Sequence, residues 1–320
     1  MKSIIITKND SDQRLDKFLK KTLKNLPISL LYKYIRTKSI KVNNKRTSIS
    51  YKLKKGDIIS LYIKDEFFIQ SPDKYDFLKA PVNLKIVYED ENIMLVDKPV
   101  GLIVHPDENY HFDSLISRIL HYMYIKGEYN PKNENSFVPA LVNRIDRNTS
   151  GIVIAAKNFE ALKILNEKIK NRELNKYYLT LVHGTFKKKE STLKAYLEKN
   201  ESQNRVYISE KPKPNYKTIL TKYKVIKEYQ NYSLLEIELL TGRTHQIRAH
   251  MAFIGHPIMG DGKYGTNKIN KNINYKQQAL CSYKLVFNFK SNSGILEYLN
   301  HKEFKVNSVW FLKDFNKLLK

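Results

Sequence analysis

The sequence predicts an α+β fold: a small unit of two helices plus a short sheet, then a larger unit built on a mainly antiparallel mixed sheet flanked by helices and carrying a binding cleft. Three observations support this. The chain has 320 residues, 42% of them hydrophobic, which is enough for two domains and a sizeable core. Its strand and helix patterns lack regular βαβ alternation. A stretch with two prolines and no apolar period separates the two units.

The first unit is predicted over residues 11–70. Apolar residues at helical spacing predict a helix in SDQRLDKFLKKTL, capped by Ser11 or Asp12, and a second helix in NLPISLLYKYIR, capped by Ser29. The segment SIKVNNKRTSI predicts a hairpin that turns at Asn43-Asn44, and KKGDIISLYI predicts a closing strand. Because so small a unit buries little apolar surface, we expect it to be a docking module. Residues 71–83 are predicted to be a linker.

The second unit is predicted over residues 84–320. The segment LKIVYEDENIMLVDKP predicts two strands joined by an acidic turn, and NKYYLTLVHG and YSLLEIELLTG predict further strands. The clearest helix covers NFEALKILNEKIKN, where Asn158 is a suitable cap. A short helix is predicted in RTHQIRAHMAFIG and ends before Pro257.

The charge of the chain indicates its partner. Lys and Arg number 57 against 32 Asp and Glu, a net charge of +25. A bias toward AT-rich codons explains why Lys exceeds Arg, but not the deficit of acids, so we expect a polyanion partner. Nucleic acid is favoured over a membrane, because no basic amphipathic helix has a strongly apolar face. No apolar run reaches membrane-span length, no secretory signal is apparent, and Cys281 has no cysteine to pair with, so we expect a cytoplasmic protein.

The first candidate for chemistry is the segment LVNRIDRNTSGIVIAAKN. It places Asp146 between Arg144 and Arg147 on a tight turn between two predicted core strands. A salt bridge that ties the turn is the simpler interpretation. However, rigid flanking strands and the polar exit at Thr149 and Ser150 favour an ionised carboxylate that a ligand can reach.

The second candidate is the segment LLTGRTHQIRAHMAFIGHPIMGDGKYG, residues 239–265. Arg243 and Arg248, near the start of a short helix, can face a phosphate or a carboxylate. Several histidines raise the alternative of a metal site. His245 and His250 are five apart and do not share a helix face as a spacing of four does, and neither a Cys pair nor a Glu-x-x-His motif accompanies them. We therefore expect no metal.

Two weaker signals come from other strands and turns. Lys176 and Tyr178 share one face of a predicted strand, where a tyrosine is more often a packing residue. Lys98 and His105 flank the turn in VDKPVGLIVHP, where a structural role is again the simpler interpretation.

Together these segments resemble the RluA superfamily of RNA pseudouridine synthases. Residues 143–151, NRIDRNTSG, match the family pattern His-Arg-Leu-Asp-x-x-Thr-Ser-Gly, and residues 242–248, GRTHQIR, match a family motif without a change. The segments YEDENIMLVDKPVGLIVHP and NKYYLTLVHG match two other family blocks in the same order. One departure is Asn143, where the family usually has His, so a histidine there is not expected to be required for catalysis.

The resemblance extends to the N-terminal part of the chain, which is similar to an S4 RNA-binding domain. The segment LKNLPISLLYKYIRTKSIKVNNKR resembles the C-type large-subunit synthases more than the D-type. The resemblance implies an RNA partner, 23S ribosomal RNA, either free or within a large-subunit precursor, and a monomer that needs no cofactor. Expected RNA contacts of the S4 domain are Arg14, Lys33, Arg36, Lys38, Lys41, Lys45 and Arg46.

The resemblance also implies roles for individual residues. Asp146 is the catalytic aspartate and attacks either the ribose or the uracil, so that the base detaches, turns and rejoins through carbon. Tyr178 stacks on the base and can serve in proton removal. Arg248 pairs with Asp146, with Arg243 as the alternative partner, and Arg144 takes the place of the flipped uridine. Further expected substrate contacts are Lys98, His105, Arg147, Thr149, Ser150, Lys176, Arg243, His245 and Gln246.

Other functions stay open at this point. A glycosidase-like enzyme that removes a base would need a second acid beside Asp146. A metal-dependent nuclease would need clustered carboxylates. A non-catalytic S4-type RNA-binding protein of ribosome assembly would keep the charge without needing the motifs, and a pseudouridine synthase acting on transfer RNA would keep both.

Overall fold

The computed structural model describes residues 1–68, 72–107, 112–265, 275 and 277–318. Two sheets define two domains, one of three strands and one of eleven strands within the described residues. The predicted α+β class is confirmed. None of the helices in the described ranges has the length and apolar character needed to cross a membrane.

The small domain combines a three-stranded antiparallel sheet with two helices. Its elements are β1 (Lys2–Ile5), α1 (Leu15–Thr22), α2 (Ile28–Arg36), β2 (Ile40–Val42) and β3 (Ile58–Leu61). The strand order is β1-β3-β2, and the predicted apolar positions of both helices form the core under the sheet. The sheet begins at Lys2, so the predicted boundary at residue 11 omits its first strand.

Three local predictions for this domain are wrong. Helix α1 begins after Arg14 without a side-chain cap, so neither Ser11 nor Asp12 caps it, and α2 begins after Pro27, which places Ser29 inside the helix. The Asn43-Asn44 turn exists, but its return strand is reduced to a single bridge. The cause is the Asn43 side chain, which donates to Asp57 at 2.8 Å and accepts from the Ile58 amide at 2.9 Å, directing the turn toward β3.

The predicted linker is folded rather than extended. Pro72–Lys79 form a 3-10 helix, and Phe77 and Ala80 are buried. Phe77 packs in one cluster with Leu115 and Ile119 of helix α3 (Leu115–Ile125). Burial of these side chains outweighs the lack of an amphipathic period, so this segment belongs to the larger domain.

The larger domain is built on the eleven-stranded sheet. Its strands are β4 (Ile86–Glu89), β5 (Ile93–Lys98), β6 (Ala140–Leu141), β7 (Ser150–Ala156), β8 (Leu174–His183), β9 (Glu190–Asn200), β10 (Arg205–Ser209), β11 (Lys217–Tyr229), β12 (Tyr232–Leu239), β13 (Leu280–Phe287) and β14 (Glu303–Lys305). The main path runs β10-β9-β11-β12-β8-β13-β7-β5-β4, with β14 beside β13 and β6 beside β7. All described pairs are antiparallel except β7 with β13.

Helices cover both faces of this sheet. The helices besides α3 are α4 (Phe159–Lys170), α5 (Gln246–Phe253) and α6 (Trp310–Leu318). The alternation of β7 sends Val153 toward α3 and Ile152 toward α4 and α6, while α5 packs on the same face as α3. The predicted cap of α4 is confirmed, because the Asn158 side chain accepts from the Ala161 amide at 2.9 Å.

Polar contacts join the two domains. Asp10 is fully buried and accepts hydrogen bonds from Asn135 Nδ2 at 2.7 Å and from Ser136 Oγ at 2.8 Å. Asn9 donates to Glu134 at 2.9 Å, and Lys163 pairs with Asp12. The small domain is therefore packed against the larger one by these contacts and is not joined to it by a linker alone.

Candidate active site

The turn that carries Asp146 lies between β6 and β7. The Thr149 amide donates to the Asp146 carbonyl at 3.0 Å and closes the turn. The Asn143 side chain accepts from the Ile154 amide at 2.8 Å, so it joins the start of the turn to the middle of β7. In this chain, therefore, the residue that opens the motif has a structural contact, and the expectation that no histidine is required there stays a prediction.

Gly151 ends the motif because no other residue fits there. Its φ is +110°, and a Cβ added to it would lie 2.2 Å from the carbonyl oxygen of Ser282. The single parallel pairing among the described strands, Cys281 with Ser150 and Ser282 with Gly151, therefore needs a glycine at this position. This close approach of β13 fixes the exit of the Asp146 turn.

Lys98 holds the loop that follows β5 against the Asp146 turn. Its ammonium group is fully buried and donates to the carbonyls of Pro99, Leu102 and Arg147 at 2.9, 2.7 and 2.9 Å. Burial, the largest cause, lowers the pKa of Lys98 to about 7. The predicted substrate contact of Lys98 is thus wrong, because all its donors are directed at backbone carbonyls inside the protein.

Arg147 completes the contact between the two loops. Its Nε donates to the Gly101 carbonyl at 3.0 Å, and the Gly101 amide donates back to the Arg147 carbonyl at 3.0 Å. The side chain is otherwise exposed, so it can still reach a ligand from this anchored position.

Thr149 and Ser150 lie inside the protein. Thr149 is 2% exposed and its hydroxyl accepts from Gln278 Nε2 at 3.1 Å, and Ser150 is buried at the first position of β7. The Thr149 hydroxyl is directed at Gln278 inside the protein, so the predicted direct substrate contact of Thr149 does not fit. The predicted contact of Ser150 stays a prediction.

The central feature of the site is a chain of three charges. Arg248, in the first turn of α5, donates from Nη1 to Asp146 at 2.8 Å. Its Nε and Nη2 donate to Asp261 at 2.7 and 3.0 Å. Asp261 is fully buried and also accepts from the amides of Lys263 and Tyr264 at 2.9 and 3.1 Å. The predicted partner of Asp146 is the observed one.

The electrostatics keep Arg248 and Asp261 ionised. Burial opposes the charge on Arg248, but the Asp261 and Asp146 carboxylates outweigh it and raise the pKa of this guanidinium. Burial also opposes the charge on Asp261, but the Arg248 hydrogen bonds and the two amides hold its pKa below the usual range. Asp146 is a partly exposed carboxylate beside a permanent cation.

His245 lies on the other side of Asp146. Its Nε2 is 3.7 Å from the Asp146 carboxylate, and its Nδ1 is 2.9 Å from the Tyr264 hydroxyl. Desolvation, the largest cause, lowers the pKa of His245 and outweighs the opposing charge of Asp146, so the ring is neutral at neutral pH. A neutral ring can form a hydrogen bond with Asp146 or with a ligand. Arg248 then remains the cation that is paired with the Asp146 carboxylate.

Gln246 has a structural role. It is 2% exposed; its Oε1 accepts from Thr241 Oγ1 at 2.9 Å and the Arg243 amide at 3.1 Å, and its Nε2 donates to Leu220 and Thr221. The predicted substrate contact of Gln246 is wrong, since each of its polar atoms has a partner inside the protein. It fixes the start of α5 and so the position of Arg248.

Tyr178 and Lys176 extend from the same face of β8, as predicted. Tyr178 is 6% exposed and packs with Ile247 and Met251 of α5. Burial, and then the charge of Asp146, raise the pKa of Tyr178 to about 12, so its phenol is neutral at physiological pH. Burial lowers the pKa of Lys176, which is partly exposed on the same face.

The remaining predicted contacts lie at the rim. Arg144, Arg243 and His105 are exposed; desolvation and then the charge of Arg144 lower the pKa of His105. The basic residues predicted for the small domain are all at least partly exposed, and Arg14 pairs with Asp16 at 3.0 Å.

A cleft of about 850 Å³ opens beside Arg248. Its walls come from the Asp146 turn, from β10 and the turn before it, from the segment after α5 and from the residues just before β13. The lining residues are Asn148, Gln203, Arg205, Tyr207, Arg248, Gly260, Gly262, Lys263, Gln277 and Gln278.

The other histidines of the second motif are structural. His250 is buried, its Nδ1 is 2.9 Å from the Thr221 hydroxyl, and burial lowers its pKa to about 4. His256 stacks on Phe186 and its Nδ1 is 2.9 Å from the His183 carbonyl. Across the described ranges, no group of three or more His, Cys, Asp or Glu side chains is arranged to hold a metal ion.

Comparison with known proteins decides the family. Residues 92–253 match the family described as RNA pseudouridylate synthase, and residues 13–59 match the S4 domain. A protein of Mycoplasma capricolum named uncharacterized RNA pseudouridine synthase is 38% identical over 97% of this chain and 99% of its own length. The chain belongs to the RNA pseudouridine synthase family. It is thus an isomerase that converts uridine to pseudouridine and acts on RNA.

A second relative agrees with this assignment, and a solved structure shares the fold. The protein named ribosomal large subunit pseudouridine synthase C from Buchnera aphidicola (strain Bp) is 35% identical over 83% of this chain and 81% of its own length. The solved structure of human RNA pseudouridylate synthase domain containing 4 aligns with a TM-score of 0.58 at 19% identity, covering 73% of this chain and 92% of that one. This last likeness concerns the fold of the synthase.

Two residues of the site escaped the sequence analysis. Asp261, which orients Arg248, and Tyr264, which bonds to His245, both lie in the segment GDGKYG. The only available signal was the acidic residue between two glycines in an otherwise basic motif. Neither pattern nor spacing showed that this carboxylate is buried against Arg248.

Proposed function

We propose that this synthase modifies uridines of 23S ribosomal RNA with Asp146 as its nucleophile or base, at sites like those of the C-type large-subunit enzymes. The observation that carries the mechanism is the hydrogen bond of 2.8 Å between Arg248 Nη1 and Asp146, at the edge of the cleft. Relatives named ribosomal large subunit pseudouridine synthase C support the substrate class. Sites like those of the D-type large-subunit enzymes are the second candidate. We further propose that it works as a monomer in the cytoplasm.

The chemistry needs one ionised carboxylate and no redox step. The target uridine leaves its stack, and the exposed Arg144 guanidinium fills the gap. Asp146 forms a bond to the ribose or to the uracil, the bond between C1′ and N1 breaks, and the base turns. A bond between C1′ and C5 then forms, the bond to Asp146 breaks, the C5 proton is lost to solvent, and N1 takes up a proton, so the net reaction is an isomerisation. Arg248 stabilises the carboxylate whenever Asp146 is free of the substrate.

Tyr178 contributes as a neutral phenol. Because burial raises its pKa to about 12, it is a poor base at neutral pH but a good hydrogen-bond donor. Its ring, held between β8 and α5, supplies the flat apolar surface on which a base can stack.

Release of tritium from a 23S transcript labelled with [5-³H]uridine tests this proposal directly. The full chain should release tritium in the presence of EDTA, and the Asp146→Asn variant should release none while it retains RNA binding. Asp76→Asn, at an exposed ion pair with Lys79, is the matched control and should behave as the wild type. Near-normal turnover by Asp146→Asn would refute the assignment of Asp146.

Labelled transfer RNA and 16S transcripts, tested in parallel, separate the alternatives. Release from transfer RNA alone would identify a transfer-RNA synthase. Binding without release from every RNA would favour a non-catalytic assembly factor. Pseudouridine mapping of ribosomal RNA from a deletion strain would then give the modified positions.

A further inference from the structure

The wall of the cleft opposite the Asp146 turn is an edge strand, β10. Successive side chains of a strand alternate between faces, so Arg205 and Tyr207 lie on one side and Val206 on the other. Val206 is buried against β9, β11 and α5, whereas Arg205 and Tyr207 are exposed and line the cleft. Tyr207 is one of the large side chains that the protein leaves open to solvent, at 43% exposure.

The positive charges on this wall are not neutralised by the protein. The charge of Arg248 is balanced by two carboxylates, Asp146 and Asp261. By contrast, no described carboxylate lies within ion-pair distance of Arg205 or Lys263; Arg205 lies over the Tyr264 ring at 5.4 Å, and Lys263 donates to the Asn204 carbonyl at 2.6 Å. The cleft therefore has two cations that a bound anion can neutralise.

Lys263 experiences this excess of positive charge. Desolvation lowers its pKa first, the charges of Arg248 and Arg205 lower it further, and the opposing charges of Asp146 and Asp261 do not make up the difference. A phosphate between Lys263 and Arg205 would relieve the repulsion among the three cations and would favour the charged form of the lysine.

The wall is also fixed relative to the catalytic pair. The Tyr264 hydroxyl accepts from the Val206 amide at 3.0 Å and is 2.9 Å from His245 Nδ1. The same ring lies beneath the Arg248 guanidinium at 5.3 Å. One tyrosine thus connects the strand that carries Arg205 and Tyr207 to both residues that flank Asp146, so a ligand on this wall is held at a set distance from the reacting carboxylate.

We propose that Arg205 and Lys263 bind a backbone phosphate of the RNA beside the nucleotide that enters the site of Asp146, and that Tyr207 stacks on an unpaired base flanking it. Basic side chains next to an exposed aromatic ring are what proteins use to hold single-stranded RNA. The inference rests on the proposed action on ribosomal RNA and adds a subsite to it.

Salt-dependent binding tests the phosphate contacts. Filter retention of the 23S transcript is measured over a range of KCl concentrations for the full chain and for Arg205→Gln and Lys263→Gln. Each variant should lower the slope of log K against log [KCl] by about one. Lys170→Gln, an exposed lysine of α4 on the opposite face of the sheet, is the matched control. Wild-type slopes in both cleft variants would refute the subsite.

Tritium release adds a kinetic readout. Both variants should raise KM at 150 mM KCl about tenfold and leave kcat within about twofold, since they contact the bound RNA but not the reacting atoms. A fall in kcat with unchanged KM would contradict the proposal. If the wild type released no tritium, the proposed substrate would fail, whereas the binding slopes would still decide the phosphate site.

Two tyrosine variants test the stacking. Tyr207→Phe keeps the ring and loses only the hydroxyl, which donates to Gln203 at 2.5 Å. It should bind RNA as the wild type does, whereas Tyr207→Leu should bind about tenfold more weakly. Equal affinities of the two variants would remove Tyr207 from the subsite.

Discussion

Asp261 accepts hydrogen bonds from Nε and Nη2 of Arg248 at 2.7 and 3.0 Å, and this leaves Nη1 of the guanidinium for the Asp146 carboxylate. Because a guanidinium is planar and rigid, fixing one edge fixes the direction of the other. Asp261 is itself held by the amides of Lys263 and Tyr264. The position of Asp146 relative to its cation is thus set from the far side of the arginine.

We expect Asp261→Asn to lower kcat by about 10- to 100-fold while RNA binding changes little, because the amide cannot accept both guanidinium bonds and keep its two amide donors. Single-turnover tritium release and filter binding measure the two effects. Breaking a buried pair also lowers the free energy of unfolding, by about 3 kcal/mol, so the kinetics are measured well below the melting temperature. A folded variant with wild-type kcat would show that Asp261 does not position Arg248.

Tyr178→Phe should reduce turnover more than Tyr177→Phe. The two residues lie on opposite faces of β8: Tyr178 faces α5, whereas Tyr177 packs under Lys284 at 4.1 Å. The reverse order of effects would contradict this assignment of faces. Tritium release by both variants gives the comparison.

The pH dependence of turnover tests the ionisation state of Tyr178. Its pKa is raised to about 12, so its ionised fraction rises about tenfold for each pH unit between 8 and 9.5. A mechanism that uses the neutral phenol predicts a flat kcat over this range, and this is the outcome we expect. An increase of kcat with unit slope, absent in Tyr178→Phe, would instead show that the phenolate is the base.

Gly151→Ala should be strongly destabilising. An alanine Cβ would lie 2.2 Å from the Ser282 carbonyl oxygen, and the residue would have to keep a φ of +110°. We expect the free energy of unfolding to fall by about 3 kcal/mol or more, as measured by urea denaturation. Gly242→Ala is the control, because no atom lies within 4 Å of its added Cβ, and it should lose about 1 kcal/mol at most.

The small domain should supply part of the salt dependence of binding. Lys33, Arg36 and Lys38 are exposed at the end of α2 and just beyond it. Their simultaneous change to Gln should lower the slope of log K against log [KCl] by about two, with tritium release at saturating RNA preserved.

A second triple variant in the larger domain controls for the loss of net charge. Lys170, Lys290 and Lys302 are exposed there, and changing them to Gln should leave the slope nearly unchanged. Equal slopes for the two triple variants would mean that the small domain makes no specific contribution.

The sequence predicts those parts of the fold in which local pattern and tertiary packing agree. Helix α4 is an example, because its Asn158 cap and its apolar stripe indicate the same element. The predictions fail where a distant side chain overrides the local pattern. Asn43 bonds to Asp57 and redirects a predicted hairpin, and burial of Phe77 organises a predicted linker.

The site shows the same division. The pairing of Asp146 with Arg248, 102 residues apart, is predicted by motif resemblance and is observed. The resemblance does not distinguish side chains that reach the ligand from those that hold the motif together. Lys98 and Gln246 both look suited to bind RNA, yet their polar atoms are used by backbone groups and by buried hydroxyls. The burial of each side chain decides whether it binds the ligand or holds the motif together. Neither composition nor spacing reveals that burial.

The parallel contact of β7 with β13 has a consequence for the nascent chain. The core strands and helices of the small domain end at Leu61, whereas the Asp146 turn needs Arg248, Asp261 and the backbone of Ser282. Since domains fold in the order in which they leave the ribosome, the basic small domain is complete long before Asp146 has its cation. A chain still being translated thus completes its small basic domain first, and the Asp146 turn gains its partners only when most of the last third of the chain has been made.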